Sequence, residues 1–95
     1  MYAVVGQVKV DPQREEEARK LLEDFVVPSA RGLAGFAGGT WARALDGDTG
    51  HSLLLFDSEE NARAAATQVA EGPPPGAPVS FVSVSVGEVL AQTEM

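Results

Sequence analysis

The chain has 95 residues, 44% of them hydrophobic, and its 14 acids and 7 bases leave a formal charge of −7. That length predicts a single domain over residues 1–95, which buries only roughly 60–65% of its unfolded surface and gains core by association. The bases Lys9, Arg14, Arg19, Lys20, Arg31, Arg43 and Arg63 are dispersed, so the clustered positive charge that nucleic acid or an anionic membrane surface requires is missing, and neither is expected as a partner. Cysteine is absent, which removes disulfide and thiolate chemistry. No apolar run approaches the ~18 residues of a membrane span and no basic segment leads an apolar one at the start, so the expected location is cytoplasmic.

Tyr2 to Val10 is rich in β-formers. Alternation puts Val4, Val8 and Val10 on one face, with Gly6 between them, and Ala3, Val5, Gln7 and Lys9 on the other. Asp11-Pro12 then reads as a helix start, a capping carboxylate followed by proline at the first helical position. Ala18, Leu21, Leu22, Phe25 and Val26 recur with helical spacing as one apolar stripe. Glu15–Arg19 and Glu16–Lys20 stand at i, i+4 in the favourable order. The block Glu15-Glu16-Glu17 is a solvated first turn rather than a metal site, since no second ligand cluster completes it. Pro28 is expected to end the helix near Val27.

Phe36 to Arg43 reads as a second strand interrupted at Gly38-Gly39, where glycine marks a bulge or a close backbone approach. Asp46 to Gly50 is a dense turn signal. His51 to Phe56 is a third strand whose consecutive Leu53, Leu54, Leu55 and Phe56 point alternately to both faces. A strand apolar on both faces is normally covered on both. Asp57 and Ser58 are each able to cap the next helix, and Glu59 and Glu60 suit its positive end. Ala62, Ala65, Ala66 and Val69 make a small-residued helical face.

Glu71 to Gly76 contains three prolines and reads as a stiff connection. Val79 to Val89 is a fourth strand, with Val82, Val84 and Val86 on one face and Ser83 and Ser85 on the other. Residues 91–95 are expected to fray. The order β-α-β-β-α-β implies a ferredoxin-like α+β fold, a four-stranded antiparallel sheet with both helices on one face. Its other face then carries half of the Leu53–Phe56 run, an apolar patch that a homodimer packed sheet to sheet would cover.

Gly35-Phe36, the aromatic Trp41, Asp46-Gly47 and the run Leu55-Phe56-Asp57-Ser58-Glu59-Glu60-Asn61-Ala62 together resemble the antibiotic biosynthesis monooxygenase-like family. The resemblance implies a dimeric α+β barrel. It also implies one of several roles: a cofactor-free oxygenase that turns phenolic polyketides into quinones, a haem-cleaving enzyme, or a member without an assigned reaction. The haem-cleaving branch carries Asn on strand one and Trp and His on the second helix. Here Gln7 stands near the first position, and Glu59 to Ala70 holds neither Trp nor His, which argues against that branch.

The candidate site residues follow. Trp41, the sole tryptophan, is a pocket wall or a core aromatic. Arg43, on the same face, is a holder of a phenolate or carboxylate, or an ion-pair partner. His51, the sole histidine, is a general base or an exposed hairpin residue; alone it builds no metal site. Gln7, Tyr2, Ser83 and Ser85 are candidate pocket polar groups. Asn61 belongs to the first turn of the second helix. No phosphate loop, nucleophile elbow or cysteine nucleophile is present, and Asp11-Pro12 after strand one does not suit an acylphosphatase-like anion cradle. Two functions stay open: a small-molecule pocket protein acting as a cofactor-independent monooxygenase on an aromatic, polyketide-like substrate, and a non-catalytic dimeric binding or structural module. Neither calls for a cofactor or a metal.

Overall fold

The computed structural model describes residues 1–93. Strand β1 (Tyr2–Val10) lies inside a four-stranded sheet of order β2-β3-β1-β4, with β2 (Phe36–Arg43), β3 (Thr49–Phe56) and β4 (Val79–Glu88). Every pairing is antiparallel. The expected element order and ferredoxin-like α+β topology hold. Residues 91–93 lie outside any strand; the fraying expected at Glu94 and Met95 falls outside the described residues.

Asp11 starts the first helical region as its sequence suggests: its carboxylate accepts the Gln13 N–H at 3.0 Å and Pro12 opens a short 3₁₀ turn. Helix α1 (Glu15–Leu21) follows, then a π turn over Leu22–Val26, then α2 (Val27–Arg31). The chain therefore stays helical past Pro28, contrary to expectation. The π turn supplies the reason. The Val27 N–H bonds back to the Leu22 carbonyl, one residue further than in an α-helix. Widening the ladder just before Pro28 accommodates a residue that has no N–H and crowds the preceding turn. Gly32 closes α2.

Helix α3 (Glu59–Ala70) is capped by Ser58, whose hydroxyl accepts the Asn61 N–H at 3.1 Å. Asp57 does something else: its carboxylate accepts the Asn61 side-chain N–H at 2.9 Å. Both side chains close over Gly35, which has φ +74°, and a Cβ there would collide with Asp57 and Asn61. The Asp57 N–H donates to the Gly35 carbonyl at 3.0 Å. The motif that carries the family resemblance is thus a structural lock joining the start of β2, the end of β3 and the start of α3.

Buried Ala62 and Ala65 let α3 lie close on the sheet, and they join Val4, Leu54 and Phe56 in the core. Phe36 meets Phe56 edge-on at 5.9 Å. A bulge of β2 against β3 falls just before the Gly38-Gly39 pair, with Ala37 the extra residue between Phe36 and Gly38. A second bulge, in β4, changes the expected face pattern. Gln7 stands opposite Ser83 but Val8 opposite Phe81, so Val82 is the extra residue. Phe81, not Val82, continues the face of Val84 and Val86.

Of the two predicted i, i+4 pairs only Glu15–Arg19 is formed among the described residues, at 3.9 Å. Arg14 instead donates to Glu17 at 2.7 Å and to the Gly76 carbonyl at 2.9 Å, fastening the proline-rich connection to the helix start. The hydrogen bond from Arg14, then its charge, holds the Glu17 carboxyl below the usual carboxylate range.

Candidate functional site

The two helical faces treat the sheet differently. The alanines of α3 bring it into contact with β1, β3 and β4, whereas in the first helical region α2 reaches β2 while α1 and the π turn stand farther from the strands. A cavity of about 740 Å³ fills the gap. The apolar stripe read from the sequence, Ala18, Leu21, Leu22, Phe25 and Val26, forms its roof rather than a packed helix–sheet contact.

The floor is made by small residues. Gly6 of β1, Gly50 and Ser52 of β3 all line it. Side chains at the two glycines would crowd the floor and push its neighbours into the space above: a Cβ at Gly6 would lie 2.6 Å from the Ser52 Oγ, and one at Gly50 would lie 2.9 Å from Val8 Cγ2. Trp41 stands directly opposite Ser52 across the β2–β3 pair. Its ring leans back over Gly39, where a Cβ would come within 3.1 Å of the Trp41 Cη2. Trp41 therefore lines the cavity and packs against the core at once, uniting the two readings of that residue.

One end of the cavity is charged. Arg43, at the end of β2, bonds through Nη2 to the Glu15 Oε1 at 3.0 Å, and the Arg19 Nη2 lies 3.9 Å from the same oxygen. All three line the cavity. Glu15 belongs to the first turn of α1, so this ion pair ties the raised helix to the sheet edge.

Register separates the candidate residues into two groups. Trp41 and Arg43 share the cavity face with Gly50, Ser52 and Leu54. His51 stands opposite Gln7 on one side and Ala42 on the other, Gln7 stands opposite Ser83, and Val5 opposite Ser85. Alternation assigns these four, His51, Gln7, Ser83 and Ser85, to the outer face. His51 touches the cavity's boundary, yet its imidazole belongs to the face away from Trp41. Tyr2 packs against the core and is not part of the cavity wall. Sequence reasoning missed Ser52, Gly50 and Glu15. The signal was a glycine in each of two adjacent strands, Gly6 and Gly50, on the face that carries the valines of β1.

No protein-family profile matches the chain, and no curated protein matches it. Solved structures do. The heme-degrader MhuD of Mycobacterium tuberculosis, with two hemes bound in its active site, superposes with a TM-score of 0.75 at 16% identity, over 99% of this chain and 100% of that one. The ActVA-Orf6 monooxygenase of Streptomyces coelicolor, in complex with nanaomycin D, gives 0.61 at 17% identity over 99% and 92%. HapK of Hahella chejuensis gives 0.69 at 9% identity over 100% and 98%. At such identities the likeness is one of fold. The chain has the ferredoxin-like α+β fold that these proteins share, the fold implied by its resemblance to the antibiotic biosynthesis monooxygenase-like family.

Proposed function

We propose that this chain is a small-molecule pocket protein whose cavity binds a flat aromatic, polyketide-like compound and acts on it as a cofactor-independent monooxygenase. The observation that supports this reading is the space of about 740 Å³ between the raised first helix and a floor of Gly6, Gly50 and Ser52, with Trp41 in its wall. An apolar cavity with few polar groups suits such a ligand. Trp41 offers a face for stacking, the Ser52 hydroxyl offers a partner for a ring oxygen, and Arg43 offers one for an ionised oxygen such as a phenolate. In the reaction, a phenolate substrate supplies the electrons. One atom of dioxygen enters the ring as a quinone carbonyl, and the other leaves as water.

Haem iron is commonly held by an axial imidazole, and His51, the chain's sole histidine, stands on the outer face, so the Trp41 side of the sheet offers a haem no such ligand. The same placement favours a second reading, a non-catalytic binding module, because it takes the chain's sole imidazole away from the ligand. We further propose a cytoplasmic homodimer that covers the outer sheet face, where Val5 and Leu53 are 42% and 43% exposed.

Oxygen uptake with a panel of phenolic polyketides and flavonoids tests the enzymatic reading. Consumption that depends on substrate and falls with Arg43→Met supports it. Saturable binding without oxygen consumption selects the binding module.

A further inference from the structure

We infer that the cavity selects an anionic aromatic ligand, and that Glu15 is the counter-ion which such a ligand displaces from Arg43 and Arg19. The inference rests on the cavity being a ligand site and adds the charge class of its occupant. The Glu15 carboxylate sits between two guanidinium groups, 3.0 Å from Arg43 and 3.9 Å from Arg19. One acid against two bases leaves a local excess of positive charge at this end of the cavity, although Glu23 and Glu71 elsewhere in the lining make the wall as a whole acidic. A ligand carboxylate or phenolate fits the same geometry, since a planar guanidinium binds two oxygens side by side.

Exchange is inexpensive here. The Arg43 and Glu15 side chains are 39% and 41% exposed, so breaking their pair strands no desolvated charge. The freed Glu15 turns to water. The remaining wall directs orientation. Glu23 and Glu71 also line the cavity and repel an anion, while the roof and Trp41 accept an apolar ring system. The acid group is therefore driven to the end where β2 finishes and α1 begins. Glu15 thereby sets specificity: a neutral ligand gains nothing from displacing it.

The test compares anthraquinone-2-carboxylate with its neutral carboxamide, read by quenching of Trp41. In Arg43→Met, carboxylate affinity should fall about tenfold and carboxamide affinity stay within about twofold. In Glu15→Gln, carboxylate affinity should rise about threefold and carboxamide affinity stay unchanged. Equal losses for both compounds in Arg43→Met, or no gain for the carboxylate in Glu15→Gln, overturn the charge assignment while the carboxamide still reports a working cavity. Absence of quenching by either compound overturns the inference and the ligand-site reading together.

Discussion

Gly35 is the residue on which the family-like motif turns. Its positive φ and its contact with Asp57 and Asn61 leave no room for a side chain. Gly35→Ala should cost about 2 kcal/mol or more of unfolding free energy, measured by urea denaturation, from backbone strain and steric overlap combined. Asn61→Ala, which removes only the exposed hydrogen bond to Asp57, should cost about 1 kcal/mol. Glu17 supplies a pH effect. Arg14 holds its carboxyl below the ordinary value, so the folded state favours the ionised form. The stability this lends is present above the unfolded pKa and is lost as pH falls through the lower folded value. A carboxyl-carbon NMR titration should place the Glu17 midpoint below that of free glutamate, and Arg14→Ala should move it up. At this scale the sequence was only half legible. That Asp57 or Ser58 caps α3 followed from residue type. Which one does so depends on Asn61, whose amide claims the Asp57 carboxylate from the next turn. Likewise Arg43's capacity to pair with a carboxylate could be read from its chemistry, but its partner Glu15 is 28 positions away in the chain and only the folded helix brings it near.

The first helical region carries the cavity because it is not a plain α-helix. Its π turn at Leu22–Val26 amounts to one extra residue, after which the helical phase resumes. Deleting exposed Asp24 should therefore remove the wide turn, keep the helical phase at both ends, and set Pro28 against a plain α-helical ladder that it kinks. The variant should stay folded by circular dichroism and lose aromatic affinity, because the Leu22, Phe25 and Val26 roof is reset. Deleting Lys20 from α1 should rotate everything after it by about 100° and lower the melting temperature by several degrees. The apolar stripe was plain in the sequence, and so was its helical period. A period gives the face that is apolar; it does not give the distance to the sheet. That distance depends on Gly6, Gly50 and Ser52 being small together, a coincidence of two strands that pairing alone reveals. Strand faces met a similar limit. Alternation grouped Gln7 with Val5 correctly but left open which group faces the helices, and the bulge at Val82 reversed the parity of β4 beyond it.

For the whole molecule, the sheet has one face under helices and one open. Val5 and Leu53 are the large exposed side chains of the open face on its two central strands. In the proposed homodimer a second copy covers them. Leu53→Lys should then shift light scattering at micromolar concentration from a dimer to a monomer near 10 kDa, the mass of one chain being 9.9 kDa; a wild-type monomer at that concentration would remove the proposed dimer. The two-sided apolar run of β3 made this face visible in the sequence, because Leu53 and Leu55 have no reason to alternate with Leu54 and Phe56 on a sheet wetted on one side. What the sequence could not display is that the same fold holds two distinct apolar regions: one open and flat, the other a half-open cavity walled by Trp41. Ligand binding in that cavity is the property on which the proposed function depends. Its most direct test is a fluorescence titration of Trp41 with flat aromatic quinones and flavonoids, repeated on Gly6→Val, which places a side chain on the cavity floor. A ligand site in this cavity gives saturable quenching with one site per chain in the wild type and at least about a tenfold loss of affinity in the variant. Unchanged quenching in Gly6→Val, or none in the wild type, would contradict it.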